Sequence, residues 1–188
     1  MNQRLKHLQG LYQSSRESAC QWLQAKWQLL ARKPQLSFDW VIPGKLAVGG
    51  LPQPGDSEIL ERAGIKVVFS LCSPQEGTPP QDVLDRFYCL RLNLPDSRYA
   101  AKLQPAQLAK AVTVVQKSMK KRWPIYIHCL AGIERSPTVC IAYLCRYENM
   151  EVWEALRFLK QVHPESMPTE TQLYVLNEFL SRSKQANA

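Results

Sequence analysis

The residues best suited to chemistry lie close together: Cys129 and Arg135, with five residues between them, in the run His128-Cys129-Leu130-Ala131-Gly132-Ile133-Glu134-Arg135-Ser136-Pro137-Thr138. A cysteine and an arginine at this spacing can build a cup for a phosphate. Loop N–H groups turned inward form a nest for an anion, and a helix starting behind them adds the positive end of its dipole. Gly132 lets the chain turn where a side chain would clash. Arg135 offers a planar fork able to hold two phosphate oxygens. The same positive field favours the thiolate of Cys129, which makes it a nucleophile at the floor of the cup.

A cup of this kind needs a strand before it and a helix after it. The β-branched and aromatic run Pro124-Ile125-Tyr126-Ile127 reads as a short buried strand. Ser136 and Pro137 read as the N-cap and first position of a helix. Val139 to Leu144 are apolar almost all round, which predicts that this helix is buried.

The motif HCLAGIERSPT resembles the His-Cys-x5-Arg-Ser/Thr loop of the cysteine-dependent protein tyrosine phosphatase superfamily, and its flanks resemble the compact dual-specificity branch. The segments PGKLAVGG and LERAGIKVVFSL are similar to the opening of such domains. EALRFLKQVHPESMPT is similar to their tail, with His163-Pro164 where an Arg-Pro is common. The resemblance covers roughly residues 38 to 180. It implies an α/β fold, a central mostly parallel sheet flanked by helices, with an extra helical segment at the N-terminus. It also implies hydrolysis of phosphomonoesters through a phosphocysteine, with no cofactor and no metal. Cys129 is then the nucleophile. Leu130, Ala131, Gly132, Ile133, Glu134 and Arg135 cradle the phosphate, Ser136 orients the thiolate and helps it leave, and His128 supports the loop by bonding to backbone.

The leaving oxygen needs a proton, best supplied by a carboxylic acid on a loop across the cup. Asp96 follows a strand and a proline, 33 residues before Cys129, and the family's general acid occupies such a loop at about that separation. Asp82 and Asp85 lie ahead of the strand and are worse placed. Glu134 departs from the family's usual small or neutral residue before the arginine. We expect it to face the rim, where it repels highly charged substrates or replaces Asp96 as the acid; myotubularin-like and rhodanese-type phosphatases also place an acidic residue there. With no lysine among the loop's variable positions, the cup suits a single phosphate. Arg98 and Lys102 are expected either to meet acidic residues flanking a phosphopeptide or to be solvated surface charge. A phosphorylated protein is the first substrate class implied, carrying phosphotyrosine and also phosphoserine or phosphothreonine. A lipid, glycan or nucleotide monoester is the second, and a phosphate-binding module without turnover is a third reading.

The 188 residues suffice for one domain with an appendage. Residues 1–36 read as a basic amphipathic helix, with Ser14-x-x-Glu17 as a capping box and Ala19, Trp22, Leu23, Trp27 and Leu30 at helical spacing. It either docks on the catalytic domain or sits on an anionic membrane or a partner. Residues 37–182 form the catalytic domain, and 183–188 a disordered tail. The net charge is +8, with six basic and two acidic groups in residues 1–40. No nucleic-acid-binding motif accompanies it, so no nucleic-acid partner is expected. The six cysteines show no CxxC pair and no metal-ligand spacing with the three histidines. Together with the lack of an apolar leader, this predicts a reducing, cytoplasmic location. Further expectations are an exposed loop over 73–81, Asp56 as the cap of a short helix, a long helix from Pro105, helices near 150–162 and 169–181 (the latter opened by a Thr169-x-x-Gln172 capping box), and surface or packing roles for His7 and His163.

Overall fold

A computed structural model of the chain describes residues 36, 38–99 and 101–185. The expected N-terminal helix, with His7, lies outside these residues except for Leu36. In order, the elements are β1 (Phe38–Ile42), β2 (Leu46–Gly49), α1 (Ser57–Arg62), β3 (Val67–Ser70), α2 (Gln81–Arg86), β4 (Tyr88–Arg91), α3 (Pro105–Lys120), β5 (Ile125–His128), α4 (Arg135–Tyr147), α5 (Val152–Val162) and α6 (Glu170–Gln185).

The strands form one sheet in the order β1-β2-β5-β3-β4. Only the β1–β2 pair is antiparallel; β2–β5, β5–β3 and β3–β4 are parallel. The inner strands LAVG, VVFS and IYIH are buried along their whole length, as continuous apolar strands covered on both faces must be. Their alternation divides the core. Leu46, Val48, Val67, Phe69, Ile125 and Ile127 face α3, α4, α5 and α6, while Ala47, Val68 and Tyr126 meet Leu60, Ile65 and Val83 beneath α1 and α2.

Register decides where the site falls. Gly49 and Ser70 both pair with His128, so β2, β5 and β3 end at one level. The loops after them, and after β4, meet beyond the carboxyl ends of the parallel strands, the usual position for a ligand in such sheets. Behind them α4 is buried continuously from Arg135 to Leu144.

Two expected caps differ. Helix α4 begins at Arg135 with Glu134 as its N-cap, so Ser136 is inside the helix and its hydroxyl is left for other partners. Asp56 stands at the N-cap position of α1, but its carboxylate turns back to accept from the backbone of Gln53 (2.7 Å) and Leu36 (3.3 Å). The Thr169–Gln172 capping box forms as expected, with both reciprocal bonds in place at 2.9 and 3.2 Å. Helix α6 continues to Gln185, past the expected domain boundary at residue 182. Among the described residues no helix is long and apolar enough to cross a membrane.

Candidate active site

The loop between β5 and α4 is held open from outside. His128 Nδ1 lies 3.1 Å from the Cys129 carbonyl, and Leu51 N–H donates to Leu130 O (3.0 Å). His163 Nε2 lies 3.0 Å from Gly132 O. Met167 N–H donates to Ile133 O (2.7 Å), and Thr138 donates from both its N–H and its hydroxyl to Glu134 O. In a trans peptide the N–H points opposite to its carbonyl. Each carbonyl drawn outward therefore turns the next residue's N–H inward, and a ring of amides faces the cup. Gly132 has φ +82°, and a Cβ on it would lie 2.6 Å from Gly49 C and 2.8 Å from Gly50 N, so only glycine fits between this loop and the end of β2.

Cys129 is 3% exposed and lies at one wall of a cavity of about 220 Å³ that also touches Leu130, Ala131, Ile133, Glu134 and Arg135. Its sulfur accepts from Gly132 N–H at 3.3 Å. The Ser136 hydroxyl lies 3.3 Å from the sulfur and 3.2 Å from Gly49 O, with one proton to direct at either. This is the hydroxyl freed when Glu134 takes the cap position. His128 is fully buried and stacked on Tyr126. Burial, opposed by its bond to the Cys129 carbonyl, pushes its pKa down to about 4, so the ring is neutral at pH 7 and supports the loop without carrying charge.

Arg135 is 2% exposed and fully engaged. It donates through Nη1 to Glu76 Oε2 (3.0 Å) and Leu94 O (3.2 Å) and through Nη2 to Asp96 Oδ2 (2.8 Å), with Glu76 Oε1 in ion-pair contact 2.8 Å from Nη2. Glu76 was not expected here, because the Pro- and Gly-rich run 73–81 reads as exposed loop. The side chain is instead only 7% exposed, anchored by Ser73 N–H at 2.8 Å. Burial disfavours its charge most strongly, yet hydrogen bonds from Arg135 and Ser73 outweigh this and hold its carboxyl below the usual range. A carboxylate held against both terminal nitrogens of a guanidinium sets the plane in which it can meet phosphate.

Asp96 sits across the cup on the loop after β4. Arg98 grips its Oδ1 through both the backbone N–H (3.0 Å) and Nε (2.8 Å), and reaches Oδ2 at 3.2 Å. Those side-chain bonds, foremost among the causes, hold the Asp96 carboxyl below its ordinary value, with Arg135 adding to the effect. Arg98 is thus already paired within its own loop. Next to it, the Ser97 hydroxyl donates to Glu134 Oε2 at 2.5 Å, which places the Glu134 carboxylate at the rim and ties the acid loop to the phosphate loop. Lys102 is exposed and lines adjoining cavities with Pro95 and Tyr99.

His163 is a second departure from expectation. It is 6% exposed and spans Asp39 Oδ2 at 2.6 Å and the Gly132 carbonyl. The only sign in the sequence was its place in the motif usually occupied by arginine, another donor.

The sequence matches the family model described as dual specificity phosphatase, catalytic domain, over residues 53–182. The phosphatidylglycerophosphate phosphatase PTPMT2 of Arabidopsis thaliana is 27% identical over 155 residues, 81% of this chain and 68% of that protein. Human dual specificity protein phosphatase 16 is 30% identical over 129 residues, 69% of this chain but only 19% of the relative's own length. Among solved structures, PTPMT1 in complex with PI(5)P aligns with a TM-score of 0.71 at 22% identity, covering 81% of this chain and all of that one. The human tyrosine phosphatase-like serine/threonine/tyrosine-interacting protein aligns at 0.69 and 18%, covering 78% and 97%. At these identities the two structures speak to the fold, which is shared. Because the family match encloses most of the chain and the whole of the loop just described, the protein belongs to the dual specificity phosphatase family.

Proposed function

We propose that the chain hydrolyses phosphomonoesters of proteins in two steps through Cys129, and that its cup takes one phosphate at a time. The observation that carries this reading is the ring of loop carbonyls drawn outward around a buried cysteine, which leaves inward amides and Arg135 to receive an anion. In the first step the Cys129 thiolate attacks phosphorus, the bond to the leaving oxygen breaks, and Asp96 supplies the proton. In the second, Asp96 takes a proton from water, the water attacks the phosphocysteine, and inorganic phosphate leaves as the thiolate is regenerated, with Ser136 donating to the departing sulfur.

The resting geometry adds a condition. Asp96 is held ionised by Arg98 and Arg135, so it is not yet a proton donor. Phosphate oxygens entering the cup compete for the Arg135 nitrogen that now holds Asp96 Oδ2. Their negative charge beside the carboxylate favours its protonation. Substrate entry thus arms the acid.

Protein substrates are favoured by the loop itself, whose variable positions Leu130, Ala131, Ile133 and Glu134 carry no cation for a second phosphate group. Of the two cations just beyond Asp96, Arg98 is occupied by Asp96, and Lys102 lines the adjoining cavities rather than that of Cys129. A second reading, a lipid phosphomonoester, is favoured by the likeness to PTPMT2, which spans more of both chains than the likeness to phosphatase 16. Phosphopeptides, phosphatidylglycerophosphate, phosphoinositides and a small aryl phosphate assayed side by side test the choice. Phosphopeptide turnover well above lipid turnover is expected. The reverse order would replace the first reading with the second.

A further inference from the structure

We propose that His163, braced by Asp39, is a positioning residue that aims the Ile133 amide into the phosphate cup. The inference rests on the phosphatase reading above but concerns residues outside the cup. His163 caps the end of α5, where its own N–H still bonds to Leu159 O (2.7 Å). Pro164 follows and stops the helix. This puts the imidazole, 6% exposed, between the edge strand β1 and the loop.

The bonding is directional. The Gly132 carbonyl can only accept, so His163 Nε2 donates at that 3.0 Å contact, and a bond to the Asp39 carboxylate, another acceptor, needs a proton on Nδ1 as well. Asp39 Oδ2 holds the other ring nitrogen at 2.6 Å, which fixes the ring plane. The carbonyl that His163 grips belongs to the peptide joining Gly132 to Ile133. Drawing it outward turns the Ile133 N–H inward. Gly132 is the one residue of the loop with a left-handed backbone, and it lacks a Cβ to restrict its own rotation. A peptide beside such a residue needs an external hold, and the Asp39–His163 pair supplies it. Met167 N–H does the same for the next carbonyl, so one segment, 163–167, sets two successive amides.

Donors fixed in advance at the place where charge develops act mainly on the transition state. Losing one such hold should therefore lower kcat more than it raises KM. The experiment compares full-length wild type with His163→Leu, His163→Gln and Asp39→Ala. It measures turnover of an aryl phosphate, binding of vanadate by calorimetry, and melting temperature. His163→Leu is expected to lower kcat about tenfold to a hundredfold with little change in KM, and to weaken vanadate by a similar factor. His163→Gln, whose amide can still donate to the Gly132 carbonyl, should recover most of the loss. Asp39→Ala should show a smaller loss of the same kind; it also carries the test if His163→Leu does not fold. Unchanged kcat and vanadate affinity in folded His163→Leu or Asp39→Ala would overturn the proposal, as would no recovery in His163→Gln. Failure of the phosphatase reading looks different: wild type itself would not turn over the ester. The ratio of vanadate affinities would still decide the positioning role.

Discussion

The two loops that face each other across the cup are held in opposite ways. The phosphate loop, Cys129 to Glu134, is fixed through its main chain. Its carbonyls bond to Leu51, His163, Met167 and Thr138, on three separate segments, and Gly132 packs where no side chain fits. The acid loop is fixed through charged and polar side chains at the rim. Asp96 is clamped by Arg98, whose side chain is 61% exposed, and shares one nitrogen of Arg135, the bond that phosphate would contest, and Ser97 is tied to Glu134. Backbone bonds in a buried setting are costly to exchange, whereas an exposed ion pair contributes little and is readily traded. On the proposed mechanism the nucleophile and anion site are therefore preformed, while the proton donor sits on contacts that an arriving phosphate would replace. Rigidity is placed where transition-state charge must be met without rearrangement, and exchangeable contacts where a proton must be released and recovered.

Four substitutions break or sharpen this contrast. Cys129→Ser should abolish turnover while leaving the cup able to bind phosphate or vanadate. Retained turnover would remove the sulfur from the chemistry. Gly132→Ala strikes the rigid side directly, by driving a Cβ to 2.6 Å from Gly49 C at a positive φ. A loss of stability of about 1–3 kcal/mol is expected from overpacking, visible in denaturant unfolding, together with loss of vanadate binding. A variant as stable and as tight as wild type would show that the loop is not fixed as described.

Asp96→Ala strikes the exchangeable side. Turnover of an ordinary ester should fall about a hundredfold to ten-thousandfold, and much less for an ester whose leaving group needs no proton. Equal losses on both would exclude Asp96 as the acid. Arg98→Gln should have the smallest effect and the most informative direction. A general acid must start protonated, and Arg98 holds the Asp96 carboxyl down. Removing it raises that carboxyl, so the basic limb of the kcat/KM profile should move to higher pH. A limb that stays in place, or moves lower, would show that Arg98 does not set the acid.

The same contrast explains what could be read from the sequence. Features made by neighbours in the chain were legible: the Cys129–Arg135 spacing, the buried strand and helix around it, and the Thr169–Gln172 box; the mostly parallel sheet was implied by the family resemblance. Asp96 was reached through family spacing and the loop it opens. What was missed depends on partners far away in sequence. Glu76 meets Arg135 across 59 residues, and His163 meets Asp39 across 124. Neither contact has a local signature, and a glutamate in a Pro/Gly-rich run looks solvated until the fold closes over it. Ser136 and Asp56 failed as simple caps for a local reason: each had a competing partner close in the chain, Cys129 seven residues before Ser136 and Gln53 three residues before Asp56.

The central claim is that sulfur of Cys129 forms the bond to phosphorus, and trapping that bond tests it directly. With Asp96→Asn to slow the second step, the enzyme would be mixed with an activated aryl phosphate, quenched in milliseconds, digested, and mapped by mass spectrometry. Among the described cysteines, burial pushes the thiols of Cys72 and Cys145 up to about 11 and raises those of Cys89 and Cys140 as well, which makes them poor competitors for the phosphoryl group. A phosphoryl adduct on Cys129, formed within the first turnover and lost as phosphate appears, is the predicted result. Phosphate release without that adduct, or with the phosphoryl group on another residue, would contradict the account.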